Sequence, residues 1–337
     1  MSLRLQNLAR HLPQARRSKA HGVLWILLSA SPVLADEGAA ARPAPAVLVG
    51  AGDIADCKAI EGAQATARLL DSIPGTVFTL GDHAYPRGTD RQFANCYDKT
   101  WGRHRSRTRP APGNHDYKTP GAAPYFAYFG AAAGEPGKGY YSYDVGGWQV
   151  IVLNSNCNEV GCEAGSEQER WLRATLSAHK TGCTLAYWHD PRFSSGDHGG
   201  DPEMTALWQA LYEGGAELAV SGHDHDYERF APQDAAGNLD PEHGIRQFVA
   251  GTGGKEMRAF SRPEPNSEVR TTGVFGVLKL TLSPGRYAWE FVPIAGQSFS
   301  DSGQGTCHAA PDEARARPLG AWPASTSTPV VSREVGK

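Results

Sequence analysis

The 337-residue sequence lacks three features that would place it in a familiar class of proteins. It has no apolar stretch of the roughly 18 residues that a permanent membrane-spanning helix needs. It has no excess of basic charge, with 33 Lys and Arg against 36 Asp and Glu, so no nucleic-acid partner is expected. None of its six cysteines stands in a C-x-x-C spacing, which argues against a structural zinc site.

The N-terminus has the pattern of an exported protein. Five basic residues come first, at Arg4, Arg10, Arg16, Arg17 and Lys19. The apolar run at 23–34 follows and leads to a small-x-Ala pattern that ends at Ala35. We therefore predict that residues 1–35 are a secretory signal peptide and that the protein is secreted or periplasmic. The alternatives are an uncleaved membrane anchor, for which the run is short, and twin-arginine export through Arg16-Arg17.

Composition predicts the boundaries of the other segments. Cleavage after residue 35 removes five positive charges and no negative ones, so the net charge changes from −3 to −8 and no stable membrane span remains. Residues 36–46 are rich in Ala, Pro and Gly and are predicted to be a linker. Residues 47–308 form the predicted folded domain, and residues 309–337 a disordered tail. The oligomeric state does not follow from the sequence.

The six cysteines are consistent with an oxidising compartment. They allow fifteen pairings, and the sequence alone does not choose among them. Position suggests one pair, Cys57 with Cys96, because each follows a polar loop at the end of an early predicted strand. Cys157 and Cys162 could close a short loop, which leaves Cys183 and Cys307.

Apolar periodicity predicts that strands and helices alternate through the first two thirds of the domain. The predicted strands lie at 47–51, 76–80, 148–155, 184–188 and 217–221, and the predicted helices at 61–73, 90–101, 166–179 and 203–213. After residue 225 strands dominate, with a hairpin at 276–292. This order predicts an α/β fold in which two sheets pack together and helices cover their outer faces.

Five short polar islands are the most informative feature of the chain. They read Gly52-Asp53-Ile54-Ala55, Gly81-Asp82-His83-Ala84-Tyr85, Gly113-Asn114-His115-Asp116, Tyr187-Trp188-His189 and Gly222-His223-Asp224-His225. Each places an Asp, Asn, His or Tyr just after an apolar stretch that is typical of a strand. Together they supply enough ligands for two metal ions about 3.5–4 Å apart, a site that catalyses in-line displacement at phosphorus.

One carboxylate can bridge two metal ions because it has two oxygens. Asp82 is the predicted bridge, since its island lies between those of Asp53 and Asn114. The predicted first set is Asp53, Asp82, Tyr85 and His225, and the second is Asp82, Asn114, His189 and His223. The anionic donors of the first set suit Fe³⁺, whereas the neutral amide and histidines of the second suit Zn²⁺, Fe²⁺ or Mn²⁺. Such a site carries a net charge of about +2, which one phosphate dianion would cancel.

These islands resemble those of the calcineurin-like metallophosphoesterases, and specifically the purple acid phosphatase branch. That branch has Asp-x-Gly, Gly-Asp-x-x-Tyr, Gly-Asn-His-(Asp/Glu), x-x-His and Gly-His-x-His motifs. All five can be placed here, with Ala55 in the position of the first motif's glycine, and residues 222–229 (GHDHDYER) match the last one closely. The resemblance covers roughly residues 47–308. It implies a four-layer α/β/β/α sandwich of two mixed sheets flanked by helices, the metal ligands given above, and His115 as a proton donor or a contact of the substrate.

Three positions depart from the pattern of the family. Ala55 stands where many metallophosphoesterases have a ligand histidine, which makes Tyr85 the expected replacement. His83 stands where an asparagine is more usual and could compete as a ligand, although a supporting or solvated role is the alternative. Asp190 follows His189 where close relatives often have a second histidine, and its carboxylate would repel phosphate oxygens.

The sequence thus predicts a secreted phosphatase that hydrolyses small-molecule phosphate monoesters by attack of a metal-bound hydroxide. His115 is the predicted catalytic residue, and His198 is a candidate contact of the substrate, with a solvated loop histidine as the alternative. One rival function is a phosphodiesterase acting on nucleotides or phospholipid head groups. Another is a non-catalytic secreted protein that binds phosphate or metal on the same scaffold.

Overall fold

The computed structural model of the protein describes residues 44–178 and 182–308. The predicted signal peptide at 1–35, residues 36–43 of the predicted linker, and the predicted tail at 309–337 lie outside the described residues. In the part of the chain that is described, no helix combines the length and the apolar character that a membrane crossing requires.

Strands make up the centre of the described fold. Their bounds are β1 Ala46–Ala51, β2 Ala55–Asp56, β3 Thr76–Leu80, β4 Ala84–Tyr85, β5 Thr108–Ala111, β6 Tyr141–Val145, β7 Trp148–Val152, β8 Thr184–Tyr187, β9 Leu218–Ser221, β10 Tyr227–Phe230, β11 Arg246–Ala250, β12 Ser267–Thr271, β13 Gly276–Ser283, β14 Arg286–Pro293 and β15 Ser302–Thr306. The first sheet has the order β15-β14-β13-β1-β3-β5, and the second has the order β12-β10-β11-β9-β8-β7-β6. A short parallel ladder joins β2 to β4.

The α-helices are short, and most of them connect parallel strands. Their bounds are α1 Glu61–Ser72, α2 Asp90–Gln92, α3 Asn114–Tyr117, α4 Ala123–Phe129, α5 Cys157–Val160, α6 Glu167–Ala178 and α7 Thr205–Glu213. Five further turns are π- or 3₁₀-helical, at Phe93–Tyr97, Trp101–Arg107, Pro120–Ala122, Gly130–Ala133 and Pro202–Met204. The predicted start of α6 is confirmed, because the Ser166 hydroxyl accepts a hydrogen bond from the Glu169 amide.

Three clusters of buried apolar side chains define the layers. The central cluster lies between the sheets, where Leu48 and Phe78 of the first sheet join Val150 and Phe248 of the second. A second cluster packs α1 on the outer face of the first sheet. A third packs α6 and α7 on the outer face of the second sheet. The predicted four-layer α/β/β/α sandwich is therefore confirmed.

The helix predicted over residues 90–101 differs from the structure. Only Asp90–Gln92 is α-helical, and a π-helical turn and a 3₁₀ segment follow it. Phe93, Cys96 and Tyr97 are buried in this segment, and Cys96 is bonded to Cys57. Tertiary packing and the disulfide therefore determine which type of helix forms in this segment. Helix propensity alone does not predict this outcome.

Both edge strands of the first sheet, β5 and β15, escaped prediction from the sequence. β5 contains Pro110, which a sheet tolerates at an edge because no ladder partner needs its missing N–H. β15 contains Gly303 and Gly305, and a Cβ atom at either would collide with the rings of Trp289 and Tyr287 respectively. Aromatic side chains of β14 thus cover the glycines. Contacts across the strands stabilise β15, although glycine has a low propensity to form strands.

The six cysteines form three disulfides in the described chain, which agrees with the expectation of an oxidised protein. They pair as Cys57–Cys96, Cys157–Cys162 and Cys183–Cys307. The last bond joins the residue before β8 in the second sheet to the residue after β15 in the first. It spans 124 residues of sequence, and closing so long a loop restricts the unfolded chain by about 4–5 kcal/mol in the chain-entropy view.

Candidate metal centre

The polar islands meet where parallel strands of both sheets end. β1, β3 and β5 run parallel in the first sheet, and β8 and β9 run parallel in the second. The residues that directly follow these strands include Asp53, Asp82, Asn114, His189 and His223. Because the carboxyl ends of parallel strands share one edge, distant parts of the sequence deliver these side chains to one place.

The backbone is strained at three of the candidate ligands. Asp53, Asp82 and His223 have φ values of 60°, 54° and 69°, in the left-handed region that non-glycine residues seldom adopt. Each follows a glycine at the end of a strand. Strain of this kind persists where the surrounding structure enforces it, and it is concentrated at functional sites.

Asp53, Tyr85 and His225 form one half of the site. The Tyr85 hydroxyl lies 2.7 Å from Asp53 Oδ1 and 3.2 Å from His225 Nε2. His225 Nε2 lies 3.3 Å from Asp53 Oδ1. All three side chains are buried, so a hard cation placed among them would find two oxygens and one nitrogen.

Asp82, Asn114, His189 and His223 form the other half. His189 Nε2 lies 3.1 Å from Asn114 Oδ1, 3.2 Å from His223 Nδ1 and 3.5 Å from Asp82 Oδ1. Ligand atoms of Asp53, Asp82 and His189 also lie within 4.8 Å of one another, so the two halves adjoin at Asp82. The structure thus brings together all seven predicted ligands, and their binding of metal stays a prediction.

Backbone carbonyls orient two of the histidines. His189 Nδ1 donates to the carbonyl of Leu80 at 2.5 Å, and His225 Nδ1 donates to that of Glu256 at 2.7 Å. These bonds turn the Nε2 atom of each ring toward the centre, which is how metal-bound histidines are usually held.

Glycine is required beside two of the carboxylates because their oxygens pass close to the backbone. A Cβ atom on Gly113 would lie 2.3 Å from Asp82 Oδ1, and one on Gly222 would lie 2.8 Å from Asp53 Oδ2. The amide of His223 also donates to Asp53 Oδ2 at 2.8 Å. The glycines of these motifs therefore leave the space in which the carboxylates are held.

His83 faces away from the centre, so the alternative that it competes as a ligand is wrong. Its ring is fully buried, with Nε2 2.7 Å from Thr79 Oγ1 and Nδ1 2.9 Å from Asp116 Oδ2. Asp116 Oδ2 also accepts from the amides of Asp82 and Gly113. His83 and Asp116 therefore fasten the second island to the third.

His115 lies at the mouth of the site. Its amide donates to Asp82 Oδ1 at 2.8 Å, and its ring Nε2 lies 3.9 Å from Asp82 Oδ2. Its Nδ1 lies 2.8 Å from the Pro86 carbonyl, and the Lys118 ammonium lies 2.7 Å from Nε2. Burial lowers the pKa of His115 below its ordinary value, an effect that Lys118 strengthens and Asp82 opposes.

His198 and Asp190 lie next to His223, in the half of the site that holds the second ligand set. The His198 ring lies 4.4 Å from the His223 ring, and its Nδ1 lies 3.1 Å from Asp224 Oδ1. Asp190 Oδ1 lies 3.4 Å from His223 Nδ1. The sequence led us to expect only that Asp190 would repel phosphate oxygens. In the structure Asp190 also lies with His189 and His223 as a potential metal ligand. Its position directly after His189 was the available signal.

The charges of the site suit a bound cation. Neither Asp53 nor Asp82 pairs with a lysine or arginine of the described chain; their ionic partners are histidines. Burial lowers the pKa of His189, but the surrounding carboxylates, led by Asp82, outweigh it and raise that pKa to about 9. Protons are therefore attracted to a buried acidic cluster that has no fixed positive charge, and metal ions fit the same donor set.

Comparisons with known proteins identify the family of the chain. A family model described as calcineurin-like phosphoesterase matches residues 29–227. Purple acid phosphatase 18 of Arabidopsis thaliana is 30% identical over 145 residues, which cover 41% of this chain and 32% of that protein. Probable inactive purple acid phosphatase 1 of the same plant is 25% identical over 263 residues, which cover 64% and 41%. The matches thus span less than half the length of either relative.

A solved structure supports the fold. The purple acid phosphatase PPD1 from yellow lupin (Lupinus luteus) seeds superposes with a TM-score of 0.65, covering 85% of this chain and 58% of that one. At 18% sequence identity this likeness concerns the fold alone. The resemblance inferred from the five islands is confirmed, and the chain belongs to the calcineurin-like phosphoesterase family.

Proposed function

We propose that the protein is a secreted, dinuclear-metal phosphatase of the purple acid phosphatase type that hydrolyses small phosphate monoesters. The observation that carries this proposal is the meeting of all five islands at Asp82, whose carboxylate adjoins both groups of candidate ligands. Asp53, Asp82, Tyr85 and His225 would hold Fe³⁺, and Asp82, Asn114, His189 and His223 would hold Zn²⁺, Fe²⁺ or Mn²⁺. When bound, the two ions supply a nucleophilic water and neutralise phosphate charge.

His115 is the proposed proton donor. Its Nε2 lies at the mouth of the site, 3.9 Å from Asp82 Oδ2, so an ester oxygen leaving the centre would meet it. Protonation of the leaving alcohol is worth about 10²–10⁴-fold in rate when the donor is well placed. His198, whose ring lies 4.4 Å from that of His223, is the proposed contact of the bound phosphate.

The domain organisation belongs to the same proposal. We assign residues 1–35 to a signal peptide, residues 36–46 to a linker, residues 47–308 to the catalytic domain and residues 309–337 to a disordered tail. The three disulfides support export to an oxidising compartment.

The test is hydrolysis by purified protein whose metal content has been measured. We expect two metal ions per chain, and p-nitrophenyl phosphate turnover at least about tenfold above that of bis-p-nitrophenyl phosphate. Faster turnover of the diester would favour the phosphodiesterase alternative. Two bound metal ions with no turnover of either ester would favour a non-catalytic binding protein, an outcome made relevant by the relative named as probably inactive.

A further inference from the structure

Asp190 places a carboxylate beside the second set of candidate ligands. It directly follows His189, and its Oδ1 lies 3.4 Å from His223 Nδ1. Ligand atoms of Asp190, His189 and His223 all lie within 4.8 Å of one another. The sequence gave this carboxylate no part in metal binding, so the structure adds a donor to the set.

The spacing of these atoms is that of ligands around one ion. Donor atoms that lie about 2.0–2.2 Å from a single ion are about 2.8–3.6 Å from one another in octahedral or tetrahedral arrangements. Within the second set, His189 Nε2 lies 3.1 Å from Asn114 Oδ1 and 3.2 Å from His223 Nδ1. The 3.4 Å between Asp190 Oδ1 and His223 Nδ1 falls in the same range. Asp190 therefore extends the set at the spacing that its other members already have.

Ser155 fixes which oxygen of Asp190 faces the set. The Ser155 hydroxyl donates to Asp190 Oδ2 at 2.6 Å and accepts from the Asp190 amide at 2.9 Å. Ser155 lies in the connection after β7 and is only 4% exposed. Because Oδ2 is occupied by this bond, Oδ1 is the oxygen left to face His223. Metal-binding carboxylates are commonly oriented by outer hydrogen bonds of this kind.

No basic side chain of fixed charge neutralises Asp190. Among the described residues it pairs with no lysine or arginine, and its ionic partner is His223. Its side chain is 15% exposed, so water solvates the carboxylate only in part. A largely buried carboxylate without a fixed positive partner is stabilised by a bound cation.

We propose that Asp190 is a fifth ligand of the second metal ion and that it makes the site favour Mn²⁺ or Fe²⁺ over Zn²⁺. This inference rests on the proposed function and narrows the identity of its second ion. The set would then offer three oxygen donors, from Asp82, Asn114 and Asp190, beside two histidine nitrogens. Zn²⁺ is usually satisfied by four ligands, whereas carboxylate and carbonyl oxygens suit Mn²⁺, and two histidines with one carboxylate suit Fe²⁺.

A fifth ligand of this kind also changes the charge of the centre. By simple counting, one more carboxylate lowers the net charge from about +2 to about +1. Asp190 would then act on bound phosphate through the metal ion that it holds, in addition to its direct repulsion of phosphate oxygens.

Metal titration of metal-free protein tests the ligand. Calorimetry records the binding of Mn²⁺ and, separately, of Zn²⁺ to the wild type, Asp190→Asn and Ser155→Ala. We expect Asp190→Asn to weaken one Mn²⁺ step by about tenfold or more and the Zn²⁺ steps by about threefold or less, because four ligands remain for Zn²⁺. Ser155→Ala should weaken the same Mn²⁺ step by a smaller factor, since the carboxylate of Asp190 is then free to turn away.

Asp197→Asn is the matched control for charge. Asp197 follows β8 in the same connection as Asp190, is 62% exposed and pairs with Arg258 at 3.5 Å. It belongs to none of the clusters of candidate metal ligands in the described chain, so its loss should leave both affinities at their wild-type values. Equal weakening by Asp190→Asn and Asp197→Asn would show a general effect of charge and overturn the ligand role.

The remaining outcomes separate this inference from the proposed function. Unchanged Mn²⁺ binding in Asp190→Asn, or equal weakening of Mn²⁺ and Zn²⁺, would overturn the inference whatever the activity. A wild type that turns over no phosphate ester, with the Mn²⁺ loss confined to Asp190→Asn and Ser155→Ala, would overturn the proposed function and support the ligand role. A wild type that binds fewer than two ions would overturn the dinuclear centre and the ligand role together.

Discussion

The Tyr85 hydroxyl donates a hydrogen bond to Asp53 Oδ1 across 2.7 Å. Burial raises the pKa of Tyr85 well above its ordinary value, and the nearby charges of Asp53 and Asp82 raise it further. Without metal the phenol is therefore protonated, and its proton occupies the place that a cation would take. A trivalent ion bound to both oxygens would displace this proton, because it stabilises the phenolate directly.

The first prediction concerns colour. Iron-loaded protein is expected to show a visible charge-transfer band, and Tyr85→Phe should abolish it while leaving the far-ultraviolet circular dichroism unchanged. Tyr97→Phe is the matched control, since the Tyr97 hydroxyl is buried and has no hydrogen-bond partner in the described structure. The Tyr97→Phe variant should keep the charge-transfer band. An active enzyme that is colourless and contains only divalent metals would defeat the assignment of Tyr85, though not that of a phosphoesterase.

The second prediction concerns the bridge. Asp82→Ala should lose metal from both halves of the site and reduce kcat by at least about 10³-fold, the scale of losing a core catalytic element. Metal analysis and p-nitrophenyl phosphate turnover measure the two effects. Asp71→Asn removes an exposed carboxylate that belongs to no island and pairs with Arg103 and His104, so it should change neither the metal content nor the turnover. Near wild-type activity of Asp82→Ala with both metals retained is the contrary result.

The third prediction concerns the proton donor. His115→Asn should reduce kcat by about 10²-fold for alkyl phosphates, whose leaving group needs a proton, and much less for p-nitrophenyl phosphate. Because the pKa of His115 is lowered, its protonated form grows only at acid pH, and alkyl phosphate turnover should fall as pH rises through that pKa. An equal loss for both leaving groups would show that His115 does not donate the proton.

The fourth prediction concerns stability and pH. Glu217 is 3% exposed, and burial raises its pKa from 4.5 to about 8, although the amide of His308 donates to its carboxylate. The folded chain therefore holds a proton that the unfolded chain releases. The free energy of unfolding should decrease as pH rises from 4.5 to about 8, by up to about 1.4 kcal/mol per pH unit.

Urea denaturation between about pH 5 and pH 8 measures this effect. Glu217→Gln keeps a neutral side chain of the same size and should remove the contribution of Glu217 to the slope. Glu213→Gln is the matched control, because Glu213 is half exposed and its pKa is lowered by hydrogen bonds from Arg173 and Gln209. If Glu217→Gln kept the wild-type slope, Glu217 would be ionised in the folded protein, paired with His308 at 3.2 Å.

The fifth prediction concerns export. Protein purified from a secreting host should begin at or near Asp36, as N-terminal sequencing would show. Its six cysteines should yield no titratable thiol under denaturing conditions, since all of them are paired. A chain that begins at Met1 and titrates six thiols would contradict both the signal peptide and the oxidised state.

Much of the fold could be predicted because it follows local patterns. β1, β3, β8 and β9 are runs of buried apolar residues, and each ends at a polar island. Their order, with helices between them, is enough to predict parallel strands and covering layers. The edge strands β5 and β15 were missed because their proline and glycines oppose strand formation locally and are accommodated only through contacts with neighbouring strands.

The sequence by itself determined which residue types could hold metal and in what order they occur, because motifs at the ends of strands are local. Only the tertiary structure decided which of them face the centre. His83 and Tyr85 are two residues apart, yet Asp116 and Thr79 hold the first in the core while the second reaches Asp53. Likewise, Arg258 belongs to no island, and only the folded chain brings its guanidinium to 2.8 Å from His198 Nε2.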